Sequence, residues 1–209
     1  MFVAGASGVI GIRLVPLLVA AGHVVAAMTR SPGKAGLLRE LGAQPVVCDV
    51  FDAGALTRAV SGFGPDVVFH QLTDLPDHAG DIAAFGDRND RMRTEGTRNL
   101  LAAAAAAGAA RVIAQSISWE LPSPGRRAAT AALERAVLEA GGVVIRYGQF
   151  YGPGTYHEAT PPDPPRIHVD DAARQTLPAL AAPPGVTIVA DDRAAPAGEP
   201  RGRRPGPVA

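Results

Sequence analysis

Short runs rich in Val, Ile and Phe alternate with longer stretches rich in Ala and Leu along most of the chain. That alternation predicts βαβ units around a parallel sheet. Strands are predicted at Phe2–Ala4, His23–Met28, Gln44–Cys48, Asp66–His70, Arg111–Gln115, Val143–Arg146 and Thr187–Ala190. Helices are predicted at Val9–Ala21, Gly33–Leu41, Ala53–Val60, Asp90–Ala107, Ala128–Ala140 and Asp170–Ala181. Gly22, Gly42, Gly108 and Gly141 fall just past helices, where a left-handed cap favours a residue without Cβ. The fold class is therefore α/β, a doubly wound parallel sheet whose right-handed crossovers leave ligands the loops beyond the strand C-termini.

Two segments break the pattern. Gly148–Pro165 is rich in glycine, proline and aromatic residues and reads as an ordered loop over the site. Ala194–Ala209 has no apolar periodicity and reads as a disordered tail. The organisation is thus a core over residues 1–146, a reduced substrate region over 147–193, and the tail.

Composition narrows the classes. A chain of 209 residues, 47% hydrophobic, suits one domain with a small appendage. A formal net charge of zero offers no case for nucleic acid or an anionic membrane as partner. No apolar stretch reaches the ~20 residues of a membrane span, and no secretory leader is visible, so a soluble cytoplasmic protein is expected. Cys48, the single cysteine, reads as a small buried hydrophobe. No His/Cys/Asp cluster has metal-ligand spacing.

Gly5, Gly8 and Gly11 form G-x-x-G-x-x-G directly after the first strand and at the start of a helix. Glycine is needed there for a tight turn, for close approach to a pyrophosphate, and for helix–strand packing. Ser7, Val9 and Ile10 fill the turn, and the helix N-terminus offers N–H groups to phosphate. After the second strand, where an NAD site usually has an acid, stands Arg30 with no acid beside it. A guanidinium at that point suits a 2′-phosphate, so NADP is expected over NAD, and Lys34 could add charge. Asp49, followed by Val50, could meet the adenine amine or cap the next helix, and the two readings stand equal.

The stretches "VAGASGVIG", "PDVVFHQLT", "EGTRNLLAAAAAAGAARVIAQS", "VVIRYGQFYGPGT" and "RIHVDDAA" resemble, in order and spacing, the extended or atypical short-chain dehydrogenases/reductases of the epimerase/dehydratase group. The resemblance implies a Rossmann domain with a small C-terminal substrate part. It places Gly5, Gly8 and Gly11 at the pyrophosphate and His70, Gln71, Leu72 and Thr73 beside the cofactor ribose. It puts Ser116 against a substrate oxygen and "RYGQFYGPG" beside the nicotinamide. His168, Asp170 and Asp171 match a motif whose aspartates cap the next helix.

The departure from the family lies in its Tyr-x-x-x-Lys pair, whose lysine tunes the phenol for proton transfer. With Glu134 as anchor, Arg126 stands at the tyrosine position and Thr130 at the lysine position. No other register helps, because Lys34 is the only lysine. Candidate replacements are Tyr147, Tyr151, Tyr156 and His157 on the loop after the sixth strand, with Arg126 as an oxyanion stabiliser. Asp74 and His78 are weaker candidates, and Trp119 is either a pocket wall or a core residue. Ser116 lacks the elbow of a nucleophilic serine.

Three readings follow. The first is an NAD(P)-dependent enzyme acting on a small carbonyl, hydroxyl or sugar-like substrate. The second is an enzyme of the same fold catalysing a non-redox cyclisation, dehydration or isomerisation. The third is a dinucleotide sensor without catalysis. The resemblance also implies pairing through the helices predicted at Asp90–Ala107 and Ala128–Ala140; the alanine-rich face of the first permits a homodimer, and a short-sided core helix accounts for the same alanines equally well.

Overall fold

The computed structural model describes residues 1–191, so the stretch read as a tail lies outside the described residues. The chain runs β1 (Phe2–Ala4), α1 (Gly11–Ala20), β2 (Ala26–Thr29), α2 (Ala35–Glu40), β3 (Gln44–Val47), α3 (Ala53–Phe63) and β4 (Val67–His70). It continues with α4 (Gly86–Arg91), α5 (Thr97–Ala106), β5 (Arg111–Ile117), α6 (Pro124–Glu139) and β6 (Val143–Tyr147). β7 (Gln149–Tyr151), β8 (Arg166–His168), α7 (Val169–Thr176) and β9 (Gly185–Val189) complete it. Seven strands form one sheet in the order β3-β2-β1-β4-β5-β6-β9. Every pairing in it is parallel.

Alternation along the strands builds a core on each face. Val3, Phe69, Ile113, Val143 and Ile145 point to one side and pack on Leu14 and Leu18 of α1, Leu38 of α2 and Ala172 of α7. Their neighbours Phe2, Ala4, Val68 and Val112 point the other way, onto Leu56 and Val60 of α3 and Leu100 of α5. Ala114 and Val144 meet Leu133 and Val137 of α6. Burying each large side chain contributes about 1.5–3 kcal/mol, so the apolar runs are long because both faces are covered.

The sequence misplaces three local details. Gly148–Pro165 is not wholly loop, since β7 lies inside it and pairs in parallel with β8 as a separate two-stranded sheet. The predicted helix Asp90–Ala107 starts earlier, at α4, and joins α5 through a π-helical turn, Met92–Gly96. A 3.6-residue pattern cannot reveal that inserted residue. The cap of α7 is His168, whose Nδ1 accepts the Asp170 N–H at 3.3 Å, rather than the aspartates. Asp170 and Asp171 instead sit in the first turn, where the helix dipole favours negative charge.

Candidate active site

The glycine turn joins β1 to α1 at the C-terminal edge of the sheet. Gly5 is left-handed (φ +87°), and a Cβ there would lie 2.4 Å from the Gln71 carbonyl oxygen. A Cβ on Gly11 would meet the carbonyl oxygens of Gly5 at 2.4 Å and Ala6 at 2.6 Å. Packing therefore demands both outer glycines. Gly8 is exposed, and a Cβ there would touch only the Gly5 carbonyl, at 3.3 Å. Its bareness keeps the outer side of the turn open, the cradle a pyrophosphate requires. No side chain caps α1; the Ile12 and Arg13 N–H groups donate to the Gly8 and Ile10 carbonyls, which leaves the N–H groups of Val9, Ile10 and Gly11 for a ligand. The residues fit a dinucleotide. Ser7 braces the turn through Thr29 Oγ1 at 2.8 Å. Ile10 is 2% exposed and packs in the core, so only its backbone can face the cofactor. Val9 offers its carbonyl to Arg13 Nη1 at 2.8 Å.

Arg13 has no signal in the sequence reading, yet it locks this corner. Its Nε donates to Asp170 at 2.6 Å and its Nη2 to the Pro153 carbonyl at 2.5 Å. One guanidinium thus ties α1 to α7 and to the loop after β7.

At the end of β2, Arg30 does have an acid partner, supplied by the loop after β4. Arg30 Nη2 donates to Asp74 Oδ1 at 2.9 Å. Asp74 is buried, and Arg88 of α4 donates to both of its oxygens, at 3.1 and 3.2 Å. Burial alone would raise the Asp74 pKa, but the two guanidiniums outweigh it and hold the group below its usual value. Two cations share this one carboxylate, and Asp49 is a second acid that acts on Arg30 through space. Lys34 lies exposed in the short turn before α2.

Asp49 is exposed and accepts the Phe51 N–H at 2.9 Å, while Asp52 caps α3 by accepting from Ala55 N at 2.9 Å. The capping alternative for Asp49 therefore falls to Asp52. Val50 is 2% exposed and packs beside Leu56, its carbonyl held by Asn99. After β4, Gln71 donates its N–H to the Ala4 carbonyl at 2.8 Å, Leu72 is half-buried and Thr73 is exposed. The Gln71 side chain is buried, and neither of its amide atoms completes a hydrogen bond among the described residues. His70 is buried with Nε2 on Thr97 Oγ1 at 2.8 Å, and burial lowers its pKa to about 4.

Ser116 does not present its hydroxyl to an open site. It is 6% exposed and donates to Glu134 Oε1 at 2.6 Å. Arg146 grips the same carboxylate at 2.9 and 2.5 Å. Burial would raise Glu134, and the Arg146 and Ser116 hydrogen bonds reverse that and lower its pKa. The reason is strand alternation, which turns Ser116 and Arg146, neighbours in register, towards α6.

Tyr147 is likewise removed from the candidates as a proton donor. It ends β6 rather than starting the loop, is 2% exposed, and burial pushes its phenol up to about 12, with Thr176 at the hydroxyl. Tyr151 ends β7 and donates to Asp191 at 2.8 Å, which raises its pKa, while His168 packs edge-on to its ring. Tyr156 reaches back to the Pro76 carbonyl, so the loops after β4 and β7 meet. His157 is half-buried, its N–H on Thr155. His78 is exposed. Arg126 donates to the Ala83 carbonyl at 3.1 Å. Arg93, in the π-helical turn, donates to Thr130 Oγ1. Trp119, Leu121 and Ile188 wall a cavity of about 420 Å³ beside α6, with Thr130, Glu134 and Arg146 in its lining.

A glycine cradle on a seven-stranded parallel sheet, with strand order turning at β1 and β4, defines a Rossmann-type dinucleotide-binding protein. The NAD(P)H-binding family matches residues 5–140, and the chain belongs to it. A 3-diazoavenalumate denitrifying reductase of Streptomyces is 36% identical over 241 aligned residues, covering 95% of this chain and 78% of the relative. Among solved structures, the UDP-glucose 4-epimerase of Thermus thermophilus in complex with NAD superposes with a TM-score of 0.73 at 22% identity. That match covers 90% of this chain and 76% of the epimerase. The dTDP-glucose 4,6-dehydratase of Streptomyces venezuelae, with NAD and TYD bound, gives 0.68 at 22% identity over 90% and 74%. Among the described residues no helix is long and apolar enough to cross a membrane.

Proposed function

We propose that the chain is an NADP(H)-dependent reductase whose small acceptor needs no proton from the protein. The observation that carries this reading is the state of the expected acid–base groups. Ser116 is committed to Glu134, Tyr147 is buried at about 12, and Arg126 and Thr130 hold the two positions of the missing pair. A carbonyl reductase must protonate an alkoxide, and this arrangement does that poorly.

A diazo group removes the requirement. A reduced dinucleotide, when bound, would supply a hydride, and an aryl diazonium plus hydride balances to a C–H bond and N2, the C–N bond breaking with no added proton. The named relative, at 36% identity, is a denitrifying reductase of a diazo acid, which supports this acceptor class. In this reading Gly8 and the start of α1 hold the pyrophosphate, while Asp49, Val50 and the Gln71–Thr73 stretch border the adenosine. Arg30, shared with Arg88 across Asp74, takes the 2′-phosphate and favours NADP. Tyr151 at the end of β7, with Tyr156 and His157 on the loop that follows, walls the substrate and excludes water.

The test uses 4-diazobenzoate labelled with ¹⁵N and NADPH under anaerobic conditions. The expected result is one ¹⁵N2 released per NADPH oxidised, well above the protein-free rate. NADPH oxidation and N2 release no faster than without protein overturn the acceptor class.

A further inference from the structure

Arg93 lies near the site and is absorbed by neither the sequence motifs nor the mechanism above. The π-helical turn Met92–Gly96 carries it, and such single-turn insertions re-aim a side chain that a regular helix would direct elsewhere. Here the guanidinium reaches α6 and donates to the hydroxyl of Thr130. Among the described residues it forms no ion pair. The acids that act on it through space are Asp90, just ahead of the turn, and Glu134, and Glu134 is already gripped by Arg146 and Ser116.

Arg126 stands one helical turn before Thr130, and its guanidinium is held to the Ala83 carbonyl. It packs so closely on Gly86 that a Cβ there would lie 2.2 Å from its Nη2. Arg93 is partly buried and feels Arg126 as a like charge. Among the described residues neither guanidinium has a carboxylate within hydrogen-bond reach, and the half-buried Arg93 feels Asp90 and Glu134 only through space, so a fork remains for an acid of its own. A carboxylate offers what is missing: one negative charge and two acceptors in the plane a guanidinium fork recognises.

We propose that Arg93, with Arg126 beside it, binds the carboxylate of a small organic acid, the substrate's anchor. The site lies where the phenol–ammonium pair of related enzymes would stand, so those positions have passed from proton transfer to anion recognition. The assignment rests on the functional reading only for the claim that the acid is the substrate.

The experiment measures benzoate and benzamide binding by saturation-transfer NMR, and NADP⁺ binding by calorimetry, on the full chain. Benzoate is expected to bind saturably and benzamide not. Arg93→Met should weaken benzoate roughly tenfold or more, the loss of a charge-assisted fork, while the NADP⁺ affinity stays unchanged and reports an intact fold. Arg93→Lys should recover part of the loss. Equal binding of benzoate and benzamide, no saturable benzoate binding, or unchanged benzoate affinity in Arg93→Met overturns the proposal. So does a loss confined to NADP⁺, which assigns Arg93 to the dinucleotide. Wild-type protein that binds benzoate but neither NADP⁺ nor NADPH sinks the reductase reading alone.

Discussion

The guanidinium of Arg30 and the carboxylate of Asp74, 44 residues apart, meet at 2.9 Å where the second and fourth strands end. Arg88 completes the cluster from α4. One buried acid holding two half-exposed arginines keeps both guanidiniums in place where the second strand ends, with Asp49 acting on Arg30 through space.

Replacing Arg30 with Ala is expected to weaken NADP⁺ by about 10- to 100-fold, the worth of one to two hydrogen bonds to a charged group. NAD⁺, which lacks the 2′-phosphate, should change little. Calorimetric titration of both dinucleotides checks this, and equal losses for the two would refute a phosphate-reading role.

Gly8→Ala and Gly11→Ala should separate binding from folding. Gly11→Ala forces a Cβ onto two carbonyl oxygens, so its melting temperature should fall sharply. Gly8→Ala meets a single contact at 3.3 Å and should fold normally, yet bind dinucleotide at least roughly tenfold more weakly, because its methyl stands where the pyrophosphate approaches. Thermal melts paired with NADP⁺ titrations distinguish the two.

Ser116→Ala tests whether the serine serves chemistry or architecture. Its hydroxyl proton belongs to Glu134, so the expected cost is about 1–2 kcal/mol of stability with turnover within severalfold of wild type. A thousandfold loss of kcat in a normally stable variant would restore Ser116 to the reacting centre.

His70 makes stability depend on pH. Its folded pKa, lowered to about 4 by burial, lies below the 6.5 of an exposed imidazole, so the unfolded chain binds a proton that the folded one refuses. Stability from this group is whole above about pH 6.5 and is lost as pH falls towards 4, by roughly 3 kcal/mol in all. Urea denaturation across that window should show the slope in wild type and a flatter profile in His70→Asn.

The fold was largely legible because its signals are local. All seven central strands fall on apolar runs, and the glycines past α1, α2, α5 and α6 take positive φ as their positions predict. The glycine turn was equally readable, since tight turns and close approaches select a residue type directly. The π-helical turn and the β7–β8 pairing were not, because neither leaves a period in the side chains.

The amino-acid sequence by itself determined the layers, the cradle, and the loss of the tyrosine–lysine pair, each a matter of residue type at a fixed spacing along one element. Only the tertiary structure decided which charges meet. Arg30 with Asp74, Ser116 with Glu134, and Arg93 with Thr130 are 44, 18 and 37 residues apart. Strand alternation, sheet order and the extra residue of the π-turn bring each pair together. Ion pairs and hydrogen bonds act over a few ångströms in space and carry no signature of the chain distance between partners.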